Sequence, residues 1–86
     1  MRTTKAEKIA SLINSIIVNH DHVRNHAPGS KQWYLWMSAE LDNVIALYDL
    51  GIVLPEIRDR YDQVVRDRKY YSDQFHELCN KEKNRA

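Results

Sequence analysis

The sequence predicts an all-α fold, a small up-down-up bundle of three helices. Apolar residues recur at helical spacing in three segments, and short stretches that contain proline or glycine separate these segments. The 86 residues include only two glycines and two prolines and few alternating apolar and polar runs, which leaves little material for strands. We therefore expect a single helical domain over residues 1–86, with helices over about 4–25, 31–50 and 55–82 and a frayed tail over 83–86.

The first helix is predicted from a capping box and an apolar stripe. Thr4 is followed three residues later by Glu7, and the apolar residues begin directly after this pair. One face of the helix then carries Ile9, Ile13, Ile16, His20 and Val23, with Leu12 and Ile17 widening the stripe. Pro28 and Gly29 follow, and they indicate that the helix ends and the chain reverses.

The second and third helices are bounded by similar signals. Ser30 can cap the second helix and Gly51 can end it, while Pro55 occupies a favoured first-turn position of the third helix. A heptad seam at spacings of four and three residues then follows, and it consists of Ile57, Tyr61, Val64, Arg68, Tyr71, Phe75 and Leu78. Because the three helices differ in length, a second copy has room to complete the core, and a homodimer is one interpretation.

The composition argues against several classes of protein. Thirteen basic and twelve acidic residues give a net charge of +1, and no basic block marks a primary nucleic-acid binder. A single cysteine, Cys79, rules out an internal disulfide, and neither a signal peptide nor a long apolar run is recognisable. We therefore expect a cytoplasmic protein without a membrane partner. Without a phosphate-binding loop, a nucleophile elbow or a cofactor motif, we expect neither an enzyme nor a cofactor.

Three polar residues interrupt the apolar stripes. Counting along the two hairpins places His20, Glu40 and Arg68 at similar heights in the bundle. Because a buried charge is costly unless it is paired, this arrangement predicts an ion pair between Glu40 and Arg68 with His20 nearby. Our interpretation is a structural polar layer that fixes helix register or oligomeric state. A functional site, or simple exposure of these side chains, is the alternative.

Two pairs of residues have spacings that suit metal ligands on a helix. His22 and His26 are four residues apart, and His76 and Cys79 are three apart. In an up-down-up bundle the ends of the first and third helices lie together, so the four side chains could converge on one zinc ion. His22 points away from the apolar stripe, however, and a single cysteine is no zinc motif, so we expect no metal.

The segment Leu47–Pro55, with the sequence Leu-Tyr-Asp-Leu-Gly-Ile-Val-Leu-Pro and followed by Arg58 and Arg60, resembles part of a MerR-type DNA-binding domain. The resemblance covers about fifteen residues and implies DNA binding. The helix-turn-helix spacing and the wing strands of that family are missing, and an aspartate stands between the arginines at 58–60 and 66–68. Nucleic-acid binding through the basic residues of the third helix is therefore the alternative function.

Aromatic residues supply the leading functional hypothesis. Eight of the 86 residues are aromatic, and one side of each helix cannot bury them all. Trp36 and Tyr70 project off the apolar stripes, and with Tyr34, Arg58 and Arg66 they belong to the residue types that dominate binding hot spots. Peripheral core packing is the alternative explanation. We expect a non-catalytic interaction module that inhibits or bridges a larger protein complex, as small accessory proteins of phages and mobile elements do.

Overall fold

The computed structural model describes residues 3–84, apart from the side chains of Glu56 and Asn84, and it is all-helical. The elements are α1 over Lys5–Arg24, α2 over Lys31–Asp49, a 3₁₀ turn over Pro55–Ile57 and α3 over Tyr61–Asn84. No strand occurs between residues 3 and 84, which confirms the predicted all-α class. None of the helices found there combines the length and the apolar character that crossing a membrane requires.

The first two helices begin where their capping residues predict. The Thr4 hydroxyl accepts a hydrogen bond from the Glu7 N–H at 3.1 Å, and the Ser30 hydroxyl accepts one from the Trp33 N–H at 3.2 Å. Gly51, just beyond α2, has a φ of +90°, a left-handed conformation that favours glycine. Both helices lie within one residue of their predicted bounds.

The third helix begins later than predicted. We expected an α-helix from Pro55, but Pro55–Ile57 forms a single 3₁₀ turn and α3 begins at Tyr61. The Arg60 N–H still donates to the carbonyl three residues back, that of Ile57, at 3.0 Å. A proline in the first position suits a 3₁₀ turn and an α-helix equally, because both begin with free N–H groups. The proline therefore could not distinguish them.

The tail predicted to fray over 83–86 is only partly described. Lys83 and Asn84 belong to α3, and Arg85 and Ala86 lie outside the described residues. The last turns of α3 are held to α2, because the Glu82 carboxylate accepts a hydrogen bond from the Lys31 ammonium at 2.7 Å. This bond raises the pKa of Lys31.

α2 lies between the other two helices and packs on both, whereas α1 and α3 have hardly any contact. Tyr48 near the end of α2 stacks on Tyr61 at the start of α3, and Lys31 binds Glu82 at the opposite ends, so these helices are antiparallel. The short connection over residues 25–30 returns the chain from α1 in the same way. The molecule measures 46 × 33 × 22 Å along its principal axes, so the helices form a flat layer and not a closed triangle.

The core of this layer is small. The buried apolar residues among those described are Val44, Leu47, Ile57 and Val64, and Leu47 alone is fully buried. α1 adds Ile16, which packs against the edge of this core. Ile13 and Ile17, which the sequence places in the apolar stripe of α1, are 42% and 57% exposed. They remain exposed because α3 does not reach α1.

Candidate functional site

Residues two apart on α2 face different neighbours. Each residue turns the helix by about 100°, so two residues turn it by about 200°. Trp36 stacks on His22 of α1, with ring centroids 3.9 Å apart and planes 10° apart. Tyr34 instead lies beside Tyr70 of α3, with centroids 6.5 Å apart. The predicted binding patch is therefore divided between the two flanks of α2, and Trp36 does not share a surface with Tyr70.

An aromatic cluster, made of Trp33, Tyr34, Tyr70 and Tyr71, joins α2 to α3. Trp33 meets Tyr71 edge-on at 5.6 Å, and Tyr71 lies 6.1 Å from Tyr34 and 5.6 Å from Tyr70. Burial raises the pKa of the Tyr71 phenol. Tyr70 is 53% exposed, whereas the other three members are half-buried. The aromatic cluster thus presents one exposed ring that its neighbours hold in place.

A second feature of this flank is an open depression of about 770 Å³ where the connector enters α3. Arg58 and Arg66 both line this arginine-lined depression, so the structure brings these two predicted residues together. Tyr48 and Tyr61 stack in its wall with ring centroids 4.1 Å apart, and the loss of solvent there raises the pKa of Tyr61. Two aspartates also line the depression, so its charge is mixed.

The predicted ion pair between Glu40 and Arg68 is wrong. Arg68 donates to Asp42, with 2.7 Å between Nε and Oδ1, while Glu40 lies 3.1 Å from the Nδ1 atom of His20. Glu40 and Asp42 are two residues apart on α2, so one faces α1 and the other faces α3. The side chain of His20 is 58% exposed, so these groups do not form a buried layer. Equal height along the bundle did not mean the same side of α2.

The four side chains considered for zinc do not converge. His22 is stacked on Trp36, and His26 lies in the connection beyond the end of α1, whereas His76 and Cys79 are on α3. Among the side chains that the structure describes, no three from His, Cys, Asp or Glu are grouped so that they could hold a metal ion.

An apolar groove that was not predicted from the sequence lies between α1 and the connector. The groove has a volume of about 510 Å³ and lies over α2, with Leu41 and Val44 among its lining residues. Ile16 lines its α1 side and Ile57 the connector side, while Glu40 adds a carboxylate. The groove exists because α1 and α3 do not close over α2. The sequence does contain a signal for it, because the apolar stripe on the first helix is wider than a single neighbouring helix can cover.

No family model, curated protein or solved structure matches this chain. The MerR-type resemblance of residues 47–55 therefore has no family match behind it. In the structure these residues form the end of α2 and the connector that follows it.

Proposed function

We propose that the chain is a non-catalytic protein-interaction module that binds a larger protein or protein complex through the aromatic cluster. One observation carries this proposal. Tyr70 is 53% exposed, and Tyr34 and Tyr71 lie against its ring. A ring that is already held loses little conformational entropy on binding, and tyrosine has few torsions to lose. Such a side chain is suited to anchor an interface.

Arginines extend the same surface. Arg66 precedes Tyr70 by four residues in α3, so the two side chains lie on the same side of the helix. Arg66 is exposed, and its guanidinium donates to Gln63 at 3.2 Å. Arg58 lines the same arginine-lined depression as Arg66 and adds a second cation. The proposed contact surface is therefore Tyr34, Tyr70, Arg66 and Arg58, without Trp36.

The chain acts in this proposal by occupying a surface of its partner, which inhibits the complex or bridges two parts of it. In this proposal the chain is a small cytoplasmic accessory protein of a phage or mobile element. Its nearly balanced charge of +1 and its eight aromatic residues support that role.

A capture experiment tests this proposal. The tagged chain is incubated with a lysate of its native host, with and without nuclease and high salt. We expect a discrete protein to stay bound after both treatments and to be lost with Tyr70→Ala, because the anchoring ring is removed. Val65→Ala is the matched control, since Val65 is also exposed on α3 but lies about 140° around the helix from Tyr70. Circular dichroism checks that both variants remain helical.

Two results would contradict the assignment. Capture that survives Tyr70→Ala means that the aromatic cluster is not the contact surface. Equal loss with Val65→Ala means that the effect is not specific to the cluster. Capture that disappears with nuclease or high salt instead favours the second candidate function.

The second candidate is nucleic-acid binding at the arginine-lined depression. Arg58 and Arg66 line this depression together with the stacked rings of Tyr48 and Tyr61. Arginines neutralise phosphates, and aromatic rings that line a groove stack with bases.

Fluorescence anisotropy with single-stranded DNA and RNA tests this candidate. We expect the affinity to fall steeply between about 50 and 200 mM salt and to weaken with Arg58→Gln and Arg66→Gln. Lys83→Gln, which removes a charge at the far end of α3, should leave the affinity almost unchanged. Absent binding, or binding that salt does not affect, rules this candidate out.

A further inference from the structure

The chain exposes more surface than a compact monomer of its mass. Its accessible surface is 6383 Å², whereas monomers of 10.2 kDa expose about 5,300 Å². Its radius of gyration is 14.6 Å, against about 12 Å for a compact chain of 86 residues. The excess of about 1,000 Å² is close to the roughly 800 Å² that each partner buries in a standard protein interface.

Part of the excess is an apolar strip on α1, formed by Ala10, Ile13 and Ile17, which we call the α1 strip. Asn19 is buried and marks the side of α1 that packs on α2. At about 100° per residue, Ile13 and Ile17 lie about 120° and 160° around the helix from Asn19. α2 therefore covers only one edge of the apolar stripe. Nothing else in the part of the chain that the structure describes covers the α1 strip.

The α1 strip is continuous with the apolar groove. Ile16 lines the groove and is three residues from Ile13, so the two side chains are neighbours on the helix surface. The strip and the groove together form one mainly apolar surface that spans α1 and α2 and includes the His20–Glu40 pair. A flat layer of helices exposes such a surface, and a second layer can bury it.

We propose that a second copy of this chain covers the α1 strip and the neighbouring groove. The same patch on both copies forms the contact, so it must be complementary to itself, as in two-fold dimers. A strip near the middle of a helix meets its own copy when the two helices pack antiparallel. The dimer then buries Ile13 and Ile17 of both copies, and it removes from water about the area by which the single chain exceeds a compact monomer.

Side-chain size favours this antiparallel arrangement. A two-fold axis midway between Ile13 and Ile17 sets Ile13 of one copy against Ile17 of the other. The same register sets the small Ala10 against the longer His20 at each end of the contact. Small side chains then face large ones, which lets the two helices approach closely along the whole strip.

Sedimentation equilibrium of the full chain between about 1 and 100 μM tests the proposal, because interfaces of about this size have affinities from μM to pM. We expect the wild type to have twice the 10.2 kDa mass of one chain at the upper concentrations. Ile17→Glu buries an unpaired charge at the contact and should weaken dimerisation by about a hundredfold. Val18→Glu is the matched control, because Val18 is 47% exposed on the same helix, about 100° around from Ile17.

A monomeric wild type at 100 μM overturns the proposal, and so does a dimer that Ile17→Glu leaves intact or that Val18→Glu disrupts equally. If Ile17→Glu does not fold, the thermal midpoint of the wild type decides. The midpoint of a dimer that unfolds to single chains rises with protein concentration, whereas that of a monomer is constant. A constant midpoint between 1 and 100 μM therefore also overturns it.

Discussion

At the scale of single residues, a step of two positions along α2 decides which neighbour a side chain meets. Tyr34 contacts α3 and Trp36 contacts α1, and in the same way Asp42 contacts α3 while Glu40 contacts α1. The two members of each pair lie at nearly the same height along the axis of α2. Counting residues along a hairpin therefore located Glu40 correctly along the axis and gave it the wrong partner, because height carries no information about direction around the helix.

The half-buried phenol of Tyr71 should make the free energy of unfolding decrease at alkaline pH. Burial raises its pKa, and the carboxylate of Asp67 adds to this shift. The folded chain therefore favours the neutral phenol. The resulting stabilisation is fully present below the unfolded pKa of about 10 and is lost as the pH rises through the higher folded value. We expect the free energy of unfolding to fall above about pH 10, and to fall less in Tyr71→Phe, which keeps the ring but cannot ionise.

Urea unfolding followed by circular dichroism at about pH 8 and pH 11 measures this difference. Comparing the two proteins at each pH removes the contribution of other groups that titrate in the same range. An alkaline loss of equal size in the wild type and in Tyr71→Phe would show that Tyr71 is not its source.

At the scale of the helices, the side-chain cap of α2 gives a direct test. Ser30→Ala removes the hydroxyl that accepts the Trp33 N–H and should lower the free energy of unfolding by about 1 kcal/mol. Ser38→Ala is the control within the same helix. The Ser38 hydroxyl donates to the Leu35 carbonyl at 2.9 Å, and alanine is the better helix former there, so we expect a change below about 0.5 kcal/mol. Equal losses in urea unfolding would mean that capping is not the cause.

The ends of a helix could be predicted from the sequence where a capping residue or hydrogen bond within one turn determines them. The Ser30 cap acts on the turn that follows it. At the other end of α2, the Ile52 N–H donates to the Leu47 carbonyl at 3.0 Å across Gly51, which closes the helix with a local hydrogen bond. The start of α3 was not predictable in this way. Ile57 packs in the core with Val44, so contacts between distant parts of the chain influence where α3 begins. The spacing of residues along the sequence does not show such contacts.

At the scale of the whole molecule, the small core makes each buried side chain important. Leu47 is fully buried, and replacing a buried leucine with alanine costs about 2–5 kcal/mol. We expect Leu47→Ala to lower the free energy of unfolding by about 3 kcal/mol, a large share of the stability of so small a domain. Val18→Ala, at an exposed site, should change it by less than about 0.5 kcal/mol. A loss below about 1 kcal/mol in Leu47→Ala would contradict the central place of this residue.

Helical periodicity identified the three amphipathic helices, and short connections predicted antiparallel neighbours, but neither shows whether the first and third helices touch. The sequence of α1 has a wide apolar stripe, and nothing in it indicates which part α2 covers. Ile13 and Ile17 were therefore placed in the same apolar stripe as Ile16 although they are exposed, and the apolar groove was missed. The candidate site was predictable in part. Tyr34 and Tyr70 do meet, whereas the place of Trp36 depends on the α1 flank.

The position of α2 between the other two helices also affects how the chain folds. Nearly all helix packing in residues 3–84 joins helices that are consecutive in the sequence, so the native contacts are local and the loops that must close are short. The α1–α2 hairpin does not need α3 as a template, and the α2–α3 hairpin does not need α1. We therefore expect that either hairpin can form first. In a single copy of the chain, the same separation means that α1 detaches by breaking mainly its interface with α2, while the α2–α3 hairpin stays folded. Within residues 3–84 the fold is therefore two helical hairpins that share α2, and we expect each to open partly independently of the other.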